Sequence, residues 1–283
     1  MNVRTQEGSA GHVDHAAAGS GRSAFRRPDT RIARFIAEAL GDARTVLNVG
    51  AGAGAGSYES AAREVTAVEP SRSMRDRRPA RLVRAVDAVA EDLPFADGEF
   101  DAAMTLFSVH QWSDVTRGLR EMRRVTRGPV VVLTCAPSLV RDFWLYEYAP
   151  EVLDTEARRF PRVEDIAAAL GGTGTVHTVP IPLDCTDGFN EAYYGRPQML
   201  LDPGARQACS AWSFVDDGVR ERFDESLRRD LASGAWDARH GHLRTQSTYE
   251  GSLVLVRATP WGSVRPDRPS PAPEHGPAAP TGP

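Results

Sequence analysis

The stretch VLNVGAGAGAGSYE, residues 46–59, constrains the fold more than any other, because an apolar run ends abruptly in alternating glycine and alanine. A short run that is apolar on both faces reads as a strand buried in a parallel sheet. A glycine-rich turn at its carboxyl end lets backbone amides approach a ligand that a Cβ would repel. Strand, bare turn and helix make the opening unit of an open α/β sheet, which binds ligands beyond the carboxyl ends of its strands.

The rest of the chain continues that pattern. Ile32, Phe35, Ile36, Ala39 and Leu40 form a helical stripe, opened by Asp29 or Thr30 as cap and closed by Gly41. Strands are expected at TVLNV (45–49), EVTAVEP (64–70), RLVRAVDA (81–88), FDAAMTLFSV (100–109) and PVVVLTC (129–135). Val115, Leu119, Met122 and Val125 place a helix between the last two, with Ser113 as its cap. Such a βαβ series implies a parallel sheet. An aromatic segment, RDFWLYEYAPEVL, then precedes a helix from Val163 to Leu170 and a strand, TVHTVPIP (175–182). A long insertion follows, with one helix marked by Val219, Phe223, Leu227 and Leu231, before the final strand SLVLVRA (252–258). The expected organisation is a disordered segment 1–27, one domain over 28–260 with cap segments at about 137–160 and 183–247, and a disordered Pro-rich tail 261–283.

Composition excludes several chemistries. With 283 residues, 41% of them hydrophobic, the chain can bury a full core. A net charge of −4 gives no global attraction to nucleic acid or to acidic membranes, so a small molecule is the expected partner. No lysine occurs, which excludes Schiff-base catalysis, lysine-dependent pyridoxal phosphate chemistry and a P-loop. Cys135, Cys185 and Cys209 lack disulfide or metal-ligand spacing, so no metal is expected. An apolar leader and a membrane-length run are both missing, and the cytoplasm is the expected location.

Gly50, Gly52 and Ala55 satisfy a relaxed G-x-G-x-x-A pattern, and Glu69 closes the next strand, where a carboxylate can accept both hydroxyls of a ribose. Dinucleotide and adenosylmethionine sites share this device. Asp92 stands in a loop before a Pro-Phe step, placed to accept from an adenine amino group while the Leu93 amide meets a ring nitrogen.

In order and spacing, VLNVGAGAG, AVEPS, AEDLPF and FDAAMTLFSVHQW resemble the class I S-adenosylmethionine-dependent methyltransferases, in particular the small-molecule branch called methyltransferase type 11. DCTDGFNEAYYGRPQMLLDP (184–203) also resembles a stretch of bacterial members of that branch. The resemblance implies a Rossmann-like, seven-stranded, mostly parallel sheet with helices on both faces, an antiparallel last strand and a mostly helical cap. It implies S-adenosyl-L-methionine as cofactor, with Gly50, Ala51 and Gly52 at its methionine and ribose, and Glu69 on the ribose hydroxyls. Pro70, Ser71 and Met74 would lie beside the adenine, Asp92 and Leu93 on its edge, and Phe107 would join the cofactor site. The family most often has an acid where Asn48 stands; an amide oxygen there accepts the same hydrogen bond from the methionine amino group without the charge. The contacts of Gly54 and Gly56 stay open.

His110, at the end of the fourth strand, is the candidate catalytic base, against the alternative that His110, Gln111 and Trp112 only shape the pocket. Trp112, Trp144, Tyr193 and Tyr194 are the candidate acceptor-binding residues, against the alternative that such aromatics form lid core. His240 and His242 lack a third metal ligand and read as a turn. The arginines at 72–84 and 117–127 read as a solvated face. The expected function is methyl transfer from S-adenosylmethionine to an oxygen, nitrogen or carbon of a small molecule of secondary metabolism. An NAD(P)-dependent oxidoreductase, an RNA methyltransferase and a non-catalytic cofactor-binding descendant stay open as alternatives.

Overall fold

The computed structural model describes residues 25–54 and 57–260. Helix α1 (Thr30–Leu40) starts at Asp29, whose carboxylate accepts from the Arg31 amide, and ends at Gly41, whose N–H donates to the carbonyls of Ala37 and Glu38. Ile32, Ile36, Ala39 and Leu40 are its buried stripe.

Strands β1 (Thr45–Val49), β2 (Glu64–Val68), β3 (Ala102–Leu106), β4 (Val130–Cys135), β5 (Thr173–Thr178) and β8 (Leu253–Thr259) form one sheet in the order β2-β1-β3-β4-β8-β5. The first four run parallel, and β8 lies antiparallel to both β4 and β5. Strand alternation divides the core. Val46, Ala102, Met104, Val131 and Leu133 meet α1 on one face. Leu47, Ala103, Val130 and Val132 meet helices α3 (Val115–Arg124) and α5 (Val163–Leu170) on the other.

The expected third strand, 81–88, is a departure. It touches the sheet through a single parallel bridge, Val68 to Val86, fixed by Val86 N–H to Ala67 O at 2.8 Å and Glu69 N–H to Val86 O at 3.0 Å. Val83 and Val86 stay 44% and 36% exposed and only Ala85 and Ala88 turn inward, too little apolar surface to hold an edge ladder. The main sheet therefore has six strands. The expected strand 175–182 is also divided: Pro180, which has no N–H, separates β5 from β6 (Ile181–Pro182), which pairs with β7 (Thr248–Tyr249) in a second small sheet. The α3 cap is Asp114, which accepts from Arg117 N–H, while Ser113 donates to Glu91 Oε1.

The short helix α2 (Arg72–Asp76) follows β2. Beyond β4 and β6 the chain builds α4 (Pro150–Arg159), α6 (Pro203–Ala208), α7 (Asp217–Ser233) and α8 (Ala235–His240), linked by 3-10 turns. In α7, Val219, Phe223 and Leu227 are buried as the spacing requires. The aromatics of these helices share one apolar core with the α1 face of the sheet. His240 and His242 lie on α8 and the following 3-10 turn, and His240 Nε2 sits 3.0 Å from Glu147. Of the expected disordered segment 1–27, residues 1–24 lie outside the described residues, as does the tail from 261. Arg26 is pinned by a 2.5 Å ion pair to the buried Asp187. Among the described residues, no helix is long and apolar enough to cross a membrane.

Candidate functional site

At the carboxyl ends of β1 to β4 lies a cavity of about 660 Å³, floored by the glycine turn and roofed by the cap. Gly50, Ala51, Gly52, Glu69, Met74, Phe107 and His110 line it. Gly50 has φ 73°, and a Cβ there would stand 1.9 Å from Ser108 Oγ, so the position admits only glycine. The Gly50 and Ala51 amides both donate to Val68 O at 2.9 Å, which folds the turn back onto the end of β2. Glu69 is thereby brought against the turn. Its Oε2 accepts from Gly52 N–H and its Oε1 from Ser71 N–H, both at 2.9 Å. Burial pushes the Glu69 carboxyl above its ordinary range, against those amides and Arg75 and Arg78, which favour the charged form. Each oxygen keeps a second lone pair for a ribose hydroxyl.

Phe107 holds a left-handed backbone, φ 51°, costly for a bulky residue and a mark of a functional edge. Its ring lies beside Phe189 at 5.4 Å and under the Arg26 guanidinium at 5.1 Å. His110, buried, sits on a 3-10 turn and meets Phe160 edge-on at 4.7 Å.

Asn48 is buried beneath the turn, off the cavity lining, and gives its Nδ2 to Glu59 Oε1 at 2.8 Å. Glu59 in turn holds both oxygens on Arg78 Nη2 at 2.9 Å, and Arg78 Nη1 reaches the carbonyls of Ala51 and Gly52 at 3.1 and 3.4 Å. Both side chains are almost wholly buried, 3% and 4% exposed. Glu59 and Arg78 are site residues that the sequence reading missed. Arg78 was one of a run of arginines, and nothing in a lysine-free chain separates a buried arginine from its solvated neighbours. Arg77 and Arg81 of the same run line the cavity mouth.

Several expected contacts are not brought to the cavity. Asp92 is exposed, and the Leu93 amide donates to Glu121 Oε2 at 3.1 Å, while the Leu93 side chain packs in the core. The Glu121–Arg124 pair binds this loop to α3 through Arg124 and Leu93 O, which turns it away from the site. Pro70 is exposed and Ser71 caps α2, so of that trio only Met74 reaches the cavity. The four aromatics proposed for the acceptor are core instead. Trp112 donates to Ser108 Oγ and packs where a Cβ on Gly118 would strike it. Trp144 donates to Tyr194 O, and Tyr194 donates to Gln246 O while stacking on Tyr249. Tyr193 is buried under Arg196. The polar tips of Trp112, Trp144 and Tyr194 each donate to another residue of the chain. Gly54 lines the cavity; Gly56 lies outside the described residues.

The cap end of the cavity is lined instead by Cys135, Glu156, Phe160, Asn190, Glu191 and Ser252, none of which the sequence singled out. Asn190 Nδ2 donates to Glu156 Oε1 at 2.9 Å and its Oδ1 accepts from Trp212 Nε1. The Ser252 amide meets both oxygens of Glu191 at 3.0 Å. Burial raises the Glu156 carboxyl to about 8, with the charge of Glu191 adding to it, and raises Glu191 to about 7.

Known proteins share this architecture. Residues 47–132 match a family described as methyltransferase domain. The crystal structure of a methyltransferase from an antibiotic biosynthesis pathway of Anabaena variabilis has a TM-score of 0.77 and 26% identity, over 83% of this chain and 99% of that one. YafE of Escherichia coli is 43% identical over 60 residues, 20% of this chain and 29% of YafE. The demethylmenaquinone methyltransferase of Renibacterium salmoninarum is 38% identical over 109 residues, 35% of this chain and 45% of that protein. The matched stretch thus spans less than half of either curated relative. The match over β1 to β4, a structural relative paired over nearly its whole length, and a bare turn facing a carboxylate at the neighbouring strand's end all support a class I S-adenosylmethionine-dependent methyltransferase.

Proposed function

We propose that this chain transfers a methyl group from S-adenosylmethionine to an oxygen, nitrogen or carbon of a small molecule in secondary metabolism. The observation that carries the proposal is Glu69, at the end of β2, fixed by the Gly52 and Ser71 amides on the wall of the cavity. The methyltransferase of antibiotic biosynthesis that pairs with this fold supports the setting.

When bound, the cofactor supplies a methyl group already activated by sulfonium charge. The chain's own task is positioning, because holding reactants in a near-attack arrangement lowers the barrier by several kcal/mol. Glu69 holds the ribose, the Gly50–Gly52 backbone admits the methionine end, and the Asn48–Glu59–Arg78 chain keeps that backbone in place. Asp92 and Leu93 take no part in this reading; Met74 is the adenine neighbour. His110, edge-on to Phe160 beside the cavity, positions the acceptor.

Calorimetric titration with adenosylhomocysteine and with NADH, on wild type and Glu69→Ala, tests the proposal. Binding of adenosylhomocysteine by wild type, weakened at least about a hundredfold in the variant by loss of two hydrogen bonds to a charged group, is the expected result. Preference for NADH, or equal adenosylhomocysteine affinity in both proteins, would refute it.

A further inference from the structure

We propose that Glu156 and Glu191 hold the ammonium group of the acceptor, so that the substrate class is a protonated primary or secondary amine on an apolar or aromatic body, with Glu156 taking its proton. This deepens the methyltransferase reading and rests on it for the fate of the amine.

The argument begins with charge. Two carboxyls line one cavity against the charge of one arginine, Arg159, which favours the ionised form of Glu156. Among the described residues, Arg159 keeps buried Nε and Nη2 atoms without a hydrogen-bond partner. Arg159, one helical turn from Glu156 on α4, donates to Ser210 Oγ and lays its guanidinium over Phe214 at 4.4 Å. Arg26 is held by Asp187. Asp142, beyond Glu191, adds a further negative charge, and Cys135 and Tyr249 are kept protonated by burial. Two buried carboxyls against one arginine leave an excess of negative charge, which is expensive and is relieved by taking up a proton or accepting a cation. Burial holds both carboxyls above the ordinary carboxylate range, which favours the first state. A bound ammonium provides the second.

Geometry narrows the cation. Glu191 is fixed by the Ser252 amide, Glu156 gives one oxygen to Asn190, and both residues line the cavity. Among the described residues there is no group of three His, Cys, Asp or Glu placed to hold a metal ion. Phe107, Phe160 and Phe189 wall the same space, which suits an apolar body with one charged end and a cation near aromatic faces. The pair and the glycine turn line the same cavity.

The proton balance is closed. The ammonium N–H proton passes to the Glu156 carboxylate and the nitrogen regains its lone pair. That pair forms the new N–C bond, while the donor's S–C bond breaks with its electrons going to sulfur. The methylated nitrogen leaves as an ammonium, and Glu156 returns its proton to solvent.

The test uses calorimetry on the full chain with matched aryl probes: phenethylamine, benzylamine and N-methylphenethylamine, each against its alcohol and carboxylate counterpart, with and without adenosylhomocysteine. At least one amine is expected to bind tenfold or more above its alcohol, with carboxylates weaker still. Glu156→Gln should reduce that preference at least fivefold while leaving adenosylhomocysteine affinity unchanged. Titration of wild type in two buffers of different ionisation enthalpy should show protons released on amine binding below about pH 8. Failure of every amine to exceed its alcohol overturns the proposal, and this needs no variant to fold. Weaker adenosylmethionine binding in Glu156→Gln, with unchanged adenosylhomocysteine binding and no amine preference, places the carboxylates against the sulfonium instead and also overturns it. Because amine preference is read without cofactor, its failure is distinct from failure of adenosylhomocysteine to bind wild type.

Discussion

Arg78→Met removes a cation from beneath the glycine turn while keeping most of the side chain's bulk. Its partner Glu59 is 4% exposed and would retain only Asn48 Nδ2 as a donor. Breaking one partner out of a buried pair costs about 3–5 kcal/mol, because the remaining charge is stranded away from water. For a domain of this size each kcal/mol lowers the melting temperature by about 2–4 °C, so the variant should melt about 6–20 °C below wild type. The carbonyls of Ala51 and Gly52 also lose their donor, and adenosylhomocysteine affinity should fall about tenfold as the turn is freed. Differential scanning calorimetry and titration read the two effects. Arg72→Met is the control: Arg72 is 88% exposed and pairs loosely with Asp76, so it should stay within about 0.5 kcal/mol of wild type. Adding Glu59→Gln to Arg78→Met should recover part of the loss, since the stranded charge is then gone. A single variant within about 1 kcal/mol of wild type would show that Glu59 and Arg78 are solvated, and the account of how the turn is held would be wrong.

Two further outcomes follow from the same geometry. Gly50→Ala and Gly52→Ala should separate: the first drives a Cβ into Ser108 Oγ and should destabilise by at least about 2 kcal/mol in urea. The second, at φ 57° with open space before it, should cost about 1–2 kcal/mol in stability but weaken adenosylhomocysteine at least tenfold. The Glu156 and Glu191 carboxyls are raised from 4.5 to about 8 and about 7, so between those limits the folded state binds more protons than the unfolded chain. Their contribution is therefore full below about pH 4.5 and is lost as pH rises to about 8, with apparent values that belong to the pair. Urea unfolding from pH 5 to 8 should show stability falling in wild type and falling less in Glu156→Gln; a slope unchanged by the substitution would contradict it.

Local pattern was enough for the scaffold and for placing Gly50 and Glu69 on the cavity lining. The apolar period of β1 to β4, the stripe of α1 and the spacing in α7 are properties of consecutive residues, and burial of one face is their direct physical consequence. Gly50 and Glu69 were legible for the same reason, since a strand end and the turn after it are local. The segment 81–88 was misjudged because a strand's membership depends on what lies beside and above it, and two inward alanines do not secure an edge. Asp92 and Leu93 were misplaced because the Glu121–Arg124 pair, from a helix much later in the chain, captures their loop. Trp144, Tyr193 and Tyr194 were legible as aromatic and cap-forming, but whether an aromatic faces a ligand or a neighbour depends on where its polar tip finds a partner.

Sequence alone therefore determined the order of elements, the glycine turn and the carboxylate beside it, because each is fixed by residues adjacent in the chain. Only tertiary structure decided what holds the turn and which carboxyls share the cavity. Asn48, Glu59 and Arg78 converge beneath the one, and Glu156 and Glu191 converge on the other, from segments with no sequence relation, and a buried charge declares itself only once its neighbours and its distance from water are known.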